Sequence, residues 1–272
     1  MAFDTFRVDG ALYGERPFFD PEVLREVLDV FVNDADFAPD WWSTSERRKP
    51  PFDREAALAE ARVNLPRPAS VVLWGRRKAP KYDVRVPLTQ RPGLIWHVDP
   101  KLSERHYPAL FALADRLVAA YRPNIGLLHR SPAFPEAPDA PTALYIRRGM
   151  LFPVDAWRTG PAGLATRTWL GPHYVERIGR AVIDATPDVE VTWQDWGGVR
   201  LDLGAEPWSR SPEDVAARQA AAMAHLAASG VFADLSFDRH RRPVFAKGPK
   251  HALGCIVPID EATHEKLYGK RG

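Results

Sequence analysis

Apolar positions along the chain recur at two periods. Over residues 21–33 they fall at Leu24, Val27, Leu28 and Phe31, the spacing of one face of a helix. Asp20-Pro21 just ahead supplies an N-cap followed by proline at the first helical position, which predicts a helix from Pro21 to about Asn33. A second helix is predicted from Asp53 through Arg62. Ser103 is expected to cap the clearest one, with Leu110, Phe111, Ala114, Leu117, Val118 and Tyr121 on one face. Elsewhere the period drops to two. Tyr82 to Leu88 alternates Val84, Val86 and Leu88 with Asp83 and Arg85, as a strand with one wet face does. Ser70 to Gly75, Leu94 to Val98, Asn124 to His129 and the opening run Phe3 to Gly14 carry the β-branched and aromatic content of further strands.

The second half repeats these patterns behind a proline-rich stretch, SPAFPEAPDAPT. There Pro132, Pro135, Pro138 and Pro141 recur at every third residue, the period of polyproline II, which predicts a stiff extended connector. Ala143 to Arg147 and Thr166 to Leu170 read as strands. Gly171-Pro172 opens a helix with Val175, Ile178 and Val182 on its face. Val189 to Trp193 and Val199 to Leu203 alternate on either side of QDWGG, a hairpin with a glycine turn. Ser211-Pro212-Glu213-Asp214 starts another helix and Gly230 stops it. The order lacks the steady β-α alternation of a doubly wound sheet. It predicts an α+β fold, a mainly antiparallel sheet with amphipathic helices packed on it. The chain then forms one unit over 1–272, or two similar lobes, 1–130 and 143–272, about the connector 131–142.

Charge changes this picture in one place. The 272 residues carry a formal net charge of only +2, which by itself suggests neither a nucleic-acid nor a membrane partner. Residues 1–40, however, hold ten acids against three arginines, a local charge of −7 that leaves +9 for the rest. Glu22, Glu26, Asp29 and Asn33 form a polar stripe opposite the apolar stripe of the first helix. Asp34 and Asp36 follow, then Phe37, Trp41 and Trp42. Acids beside aromatic residues fit an interface for a basic protein partner, with Glu22, Glu26, Asp29, Asp34, Asp36, Trp41 and Trp42 as its residues. The competing reading makes the acids an ordinary solvated face and places the tryptophans in the core.

Candidate chemistry adds little. The patterns GxSxG, GxxxxGK[ST], HExxH, CxxC and GxGxxG do not occur, and the one cysteine, Cys255, excludes both an internal disulfide and a thiolate zinc site. His97, Asp99 and His106 lack ligand spacing and read as a strand end and a helix's first turn, so no metal or cofactor is expected. Asp195 and Asp202 read as turn and rim acids. Two basic clusters, Arg76, Arg77, Lys78 and Lys81, and Arg239, His240, Arg241 and Arg242, read as solvated surface. An enzyme with an unfamiliar site, or a nucleic-acid module using Arg76 to Lys81, stays open as the alternative. The N-terminus lacks the basic and apolar regions of a secretory signal, and no apolar run approaches the roughly 20 residues of a membrane span, so a cytoplasmic protein is expected.

One resemblance goes further. In TWLGPHYVERIGR (168–180), DWGGVRLDLGAEPW (195–208) and the alanine-rich helix ending in GVF (230–232), the sequence resembles bacterial immunity proteins of polymorphic and type VI secreted toxins. It is most similar to the immunity protein 52 family, predicted partners of restriction-endonuclease-like toxins. The likeness spans roughly residues 90–245 and consists of structural residues with no catalytic motif. It implies a non-enzymatic protein that captures a cognate toxin in the cytoplasm, without cofactor or nucleic acid. A nuclease toxin must attract phosphate, so a basic binding face meeting an acidic one is the arrangement the resemblance implies. The overall pI of about 8.7 departs from an inhibitor acidic throughout.

Overall fold

In the computed structural model, the structure describes residues 6–44, 49–63, 70–77, 80–88, 93–99, 102–132, 161, 163–232, 235–237 and 243–245. The predicted connector beyond Pro132, the strand Ala143–Arg147, Lys78, Cys255 and the Arg239–Arg242 cluster lie outside them.

The fold is α+β. Nine strands form one antiparallel sheet: β1 (Phe6–Tyr13), β2 (Trp41–Ser43), β3 (Ser70–Gly75), β4 (Tyr82–Pro87), β5 (Gly93–Val98), β6 (Ile125–Pro132), β7 (Arg167–Leu170), β8 (Glu190–Trp193) and β9 (Val199–Asp202). Their order across the sheet is β2-β3-β4-β5-β1-β6-β7-β9-β8. β1 is the central strand: Gly10 faces Trp96 of β5 on one side and Leu128 of β6 on the other. The pairing of β6 with β7, Ile125 opposite Leu170, then carries the sheet into the second half of the chain. Both halves therefore share one sheet. A separate hairpin joins β10 (Leu235–Phe237) to β11 (Pro243–Phe245).

Helices cover opposite faces of the sheet, because alternate residues of each strand point to opposite sides. On one face α1 (Pro21–Val32), α2 (Arg54–Val63) and α3 (Tyr107–Tyr121) bury Leu24, Val27, Leu28, Phe31, Leu58, Phe111, Ala114 and Leu117 against Leu12, Val84, Val86, Leu94, Trp96 and Trp169. On the other, α4 (Pro172–Ile178), α5 (Arg180–Asp184) and α6 (Pro212–Leu226) bury Tyr174, Ile178, Ile183, Ala222 and Leu226 against Tyr13, Ile125, Leu127, Leu170, Val199 and Leu201.

Local chemistry sets most boundaries. Asp20 caps α1 by accepting the Glu22 N–H at 2.9 Å, and Ser211 caps α6 by accepting the Asp214 N–H at 3.2 Å. The β8–β9 hairpin closes through Gln194 N–H to Gly198 C=O at 2.9 Å, with Gly197 at φ +87° as the turn requires. Two expectations are corrected. Ser103 makes no side-chain cap; a 3₁₀ turn, Glu104–His106, precedes α3 instead. The helix opened by Gly171-Pro172 breaks at Gly179, whose φ of +88° a side chain would resist, into α4 and α5. The break rotates the apolar face, so Ile183 is buried and Val182 exposed. Among the described residues, no helix is long and apolar enough to cross a membrane.

Candidate functional site

The acidic stripe of α1 becomes one wall of a groove. Its apolar stripe is anchored in the core, which turns Glu22, Glu26 and Asp29 outward along the helix. Beyond α1, Asp34 Oδ1 accepts the backbone N–H groups of Asp36 and Phe37, each at 2.8 Å, fixing the turn. Phe37 is thereby seated in the core against Tyr82, whose hydroxyl donates to the Phe37 carbonyl; burial raises the Tyr82 phenol far above its ordinary range. α3 supplies the opposite wall with Ala109, Ala112 and Arg116. The groove between them measures about 500 Å³, with Glu26, Asp29, Asp34 and Asp36 around Val30, Ala35, Ala109 and Ala112.

The stripe is not bare charge. Arg16 pairs with Glu26 at 2.8 Å, Arg54 with Asp29, and Arg116 with Asp34. Arg25 reaches Glu55 of α2 at 3.0 Å, and this cation holds the Glu55 carboxyl below the usual carboxylate range. Glu22 and Asp36 make no ion pair among the described residues. The surface already matches guanidinium to carboxylate. The Arg16–Glu26, Arg25–Glu55 and Arg54–Asp29 pairs are open to water, where each is worth little and is readily exchanged, whereas Asp34 is buried beneath Arg116.

The tryptophans divide. β2 places adjacent residues on opposite faces of the sheet. Trp42 turns toward α1 and is 7% exposed in the core, so its indole serves the fold and is unavailable as a surface anchor. Trp41 turns the other way, half-buried, with the Arg77 guanidinium 5.2 Å from its ring centroid. Neither lines the groove. Of the seven residues expected at an interface, the structure gathers Glu26, Asp29, Asp34 and Asp36 there, with Glu22 farther along the same helix.

The other candidates are also separated. His97 meets Asp9, its cross-strand neighbour on β1, with Nδ1 2.6 Å from Oδ1; Asp99 is not that partner. Asp83, His97, Asp9 and His129 stand in register across β4, β5, β1 and β6, a row that no linear spacing reveals. His106 sits in the 3₁₀ turn. Among the described residues, no three His, Cys, Asp or Glu side chains converge to hold a metal. Asp195 lies exposed in the hairpin turn, whereas Asp202 is buried against Arg167. In the basic cluster, Arg76 pairs with Asp83 at 3.4 Å, and Asp40 accepts the backbone N–H groups of Arg76 and Arg77 at 2.6 and 2.7 Å.

No family model matches the sequence, and a search of curated proteins returns no match. By structure, the chain is similar to the Pseudomonas aeruginosa T6SS protein PA0821, with a TM-score of 0.54 and 16% sequence identity over 84% of this chain and 76% of that one. At that identity the likeness establishes a shared fold, here with a protein of a type VI secretion system.

Proposed function

We propose that the protein is an immunity protein, a non-enzymatic binder that neutralises a secreted bacterial toxin in the cytoplasm by occluding its active site or substrate surface. The acidic groove between α1 and α3 is the observation that carries this reading. A toxin acting on nucleic acid presents a basic face, and a groove rimmed by four carboxylates steers such a face toward it. Two further points support it: the likeness to immunity proteins in TWLGPHYVERIGR and DWGGVRLDLGAEPW, and a fold in common with a T6SS protein.

The mechanism follows from the pairs already present. A partner's arginine or lysine replaces Arg16 or Arg54 at its water-exposed carboxylate, so the exchange costs little desolvation. The unpaired Glu22 and Asp36 add attraction at longer range. Such rim charges act mainly on association, so the on-rate carries the signature. The test is a triple variant, Glu22→Lys, Glu26→Lys and Asp29→Lys, checked for native unfolding behaviour. It is then titrated against the cognate toxin. A slower on-rate with weaker salt dependence is expected; an unchanged on-rate at low salt removes the groove from the interface.

A further inference from the structure

α3 is tied to two different sets of charges by adjacent residues. On the side facing the sheet, Phe111 and Asp115 lie one turn apart over β7 and β9. Arg167 of β7, with a side chain 6% exposed, donates through Nη1 to Asp115 Oδ2 at 2.8 Å and through Nη2 to Asp202 Oδ2 at 3.1 Å. Its guanidinium carbon lies 4.9 Å from the centroid of the Phe111 ring. Arg200 of β9 donates to the same Asp115 Oδ2 at 3.0 Å and pairs with Asp202 at 2.9 Å. The Trp169 indole N–H donates to Asp115 Oδ1 at 3.2 Å. Asp115 thus accepts from three donors of the sheet. Ala112 and Arg116, again one turn apart and about 100° further round the helix, face the groove, and Arg116 pairs with Asp34.

We propose that Asp115 is a positioning residue for the groove. Through it the network of Arg167, Asp202 and Arg200 sets where α3 lies relative to the end of α1, and so whether Arg116 meets Asp34. The partner-binding part of this inference rests on the proposed function; the positioning part does not. β7 and β9 are fixed in register, Arg167 opposite Asp202 and Trp169 opposite Arg200, so the sheet side cannot follow a change at Asp115. The network is balanced, two arginines against two aspartates. Neutralising Asp115 leaves two largely buried guanidinium groups sharing one carboxylate. α3 carries both Asp115 and Arg116 on one packed helix, and a close-packed interior transmits strain, so a change at Asp115 is passed along the helix to Arg116. Asp34, with a side chain 8% exposed and held by its own turn, stays put while Arg116 moves with α3.

Asp115→Asn in the full chain tests this, with Arg200→Gln as a second variant that weakens the same network from its more exposed end. Each is combined with Arg116→Ala, and unfolding is followed in urea. Non-additivity of at least about threefold in the unfolding equilibrium is expected, because coupled sites deviate from additivity and independent ones do not. The side-chain Nε–H resonance of Arg116 should move toward its position in a Asp34→Ala variant. Binding to the cognate toxin should weaken by roughly tenfold, the scale of a coupling through one packed element. Additive stabilities with an unmoved Arg116 resonance overturn the proposal. Coupling and a moved resonance with unaltered toxin affinity uphold the positioning role and count against the groove as the partner surface.

Discussion

Arginine meets carboxylate in two regions of this molecule, and they behave as opposites. Around the groove, the Arg16–Glu26, Arg25–Glu55 and Arg54–Asp29 pairs are open to water, joining helix to helix or loop to helix. Under α3, the Arg167 and Asp202 side chains are 6% and 1% exposed and lie on facing strands. In the first region solvent screens the charges and side-chain entropy opposes each pair, so the contacts are exchangeable. In the second, each ion depends on its partner because water cannot replace it. The difference separates the surface suited to trading partners from the scaffold that holds it in place.

Breaking the buried pair from one side should have the largest effect. Arg167→Met leaves the buried Asp202 with Arg200 as its remaining cation and is expected to cost about 3 kcal/mol, read as a lower urea midpoint. Pairing it with Asp202→Leu should restore most of that loss, which a pair of ordinary strength would not do. Next comes the cap of α6: Ser211→Ala removes the acceptor for the Asp214 N–H and should cost about 1 kcal/mol in the same assay. An open pair should do least. Arg54→Met is expected to leave the midpoint where it was, and a clear fall would show that the groove rim is more tightly organised than its exposure implies.

The acid range sharpens the contrast, since two carboxyls there shift in opposite directions. Burial pushes Asp202 above the ordinary carboxylate value, with the Arg167 hydrogen bond opposing it. It therefore binds its proton more tightly in the folded chain. Its contribution is present below the ordinary value and is lost as pH rises through the raised one. Asp214 is held below its ordinary value chiefly by the hydrogen bond from Arg218. Its contribution is present above the ordinary value and is lost as pH falls through the lowered one. Relative to Asp202→Asn, the parent should lose stability as pH rises across the acid range; relative to Asp214→Asn, it should gain. Equal slopes would mean that burial does not distinguish the two sites.

The elements themselves were largely legible in the chain. Asp20-Pro21 and Ser211-Pro212 mark helix starts by chemistry that acts within three residues, and the alternation of Val84, Val86 and Leu88 with Asp83 and Arg85 marks a half-wet strand. The acidic stripe of α1 was equally visible, since Glu22, Glu26 and Asp29 share a face through helical geometry alone. The break at Gly179 was not. A glycine within a helical pattern is often tolerated, and only the packing of Ile183 into the second core decides that the chain turns there.

What lay beyond the sequence is whatever depends on pairing distant segments. Trp41 and Trp42 look alike in a line, yet pairing of β2 with Leu73 and Trp74 sends one into the core and the other to the far face. Asp202 resembles a turn acid until β7 brings Arg167 against it, 35 residues away. Arg116 carries no sign of a groove until α3 crosses α1 and meets Asp34, 82 residues earlier. Helix and strand periods come from local backbone geometry and short-range side-chain chemistry, which the order of residues specifies directly. The groove, the Asp9–His97 contact and the network beneath α3 come from strand register and helix crossing. Burial of the whole core selects those, and no stretch of sequence encodes them by itself.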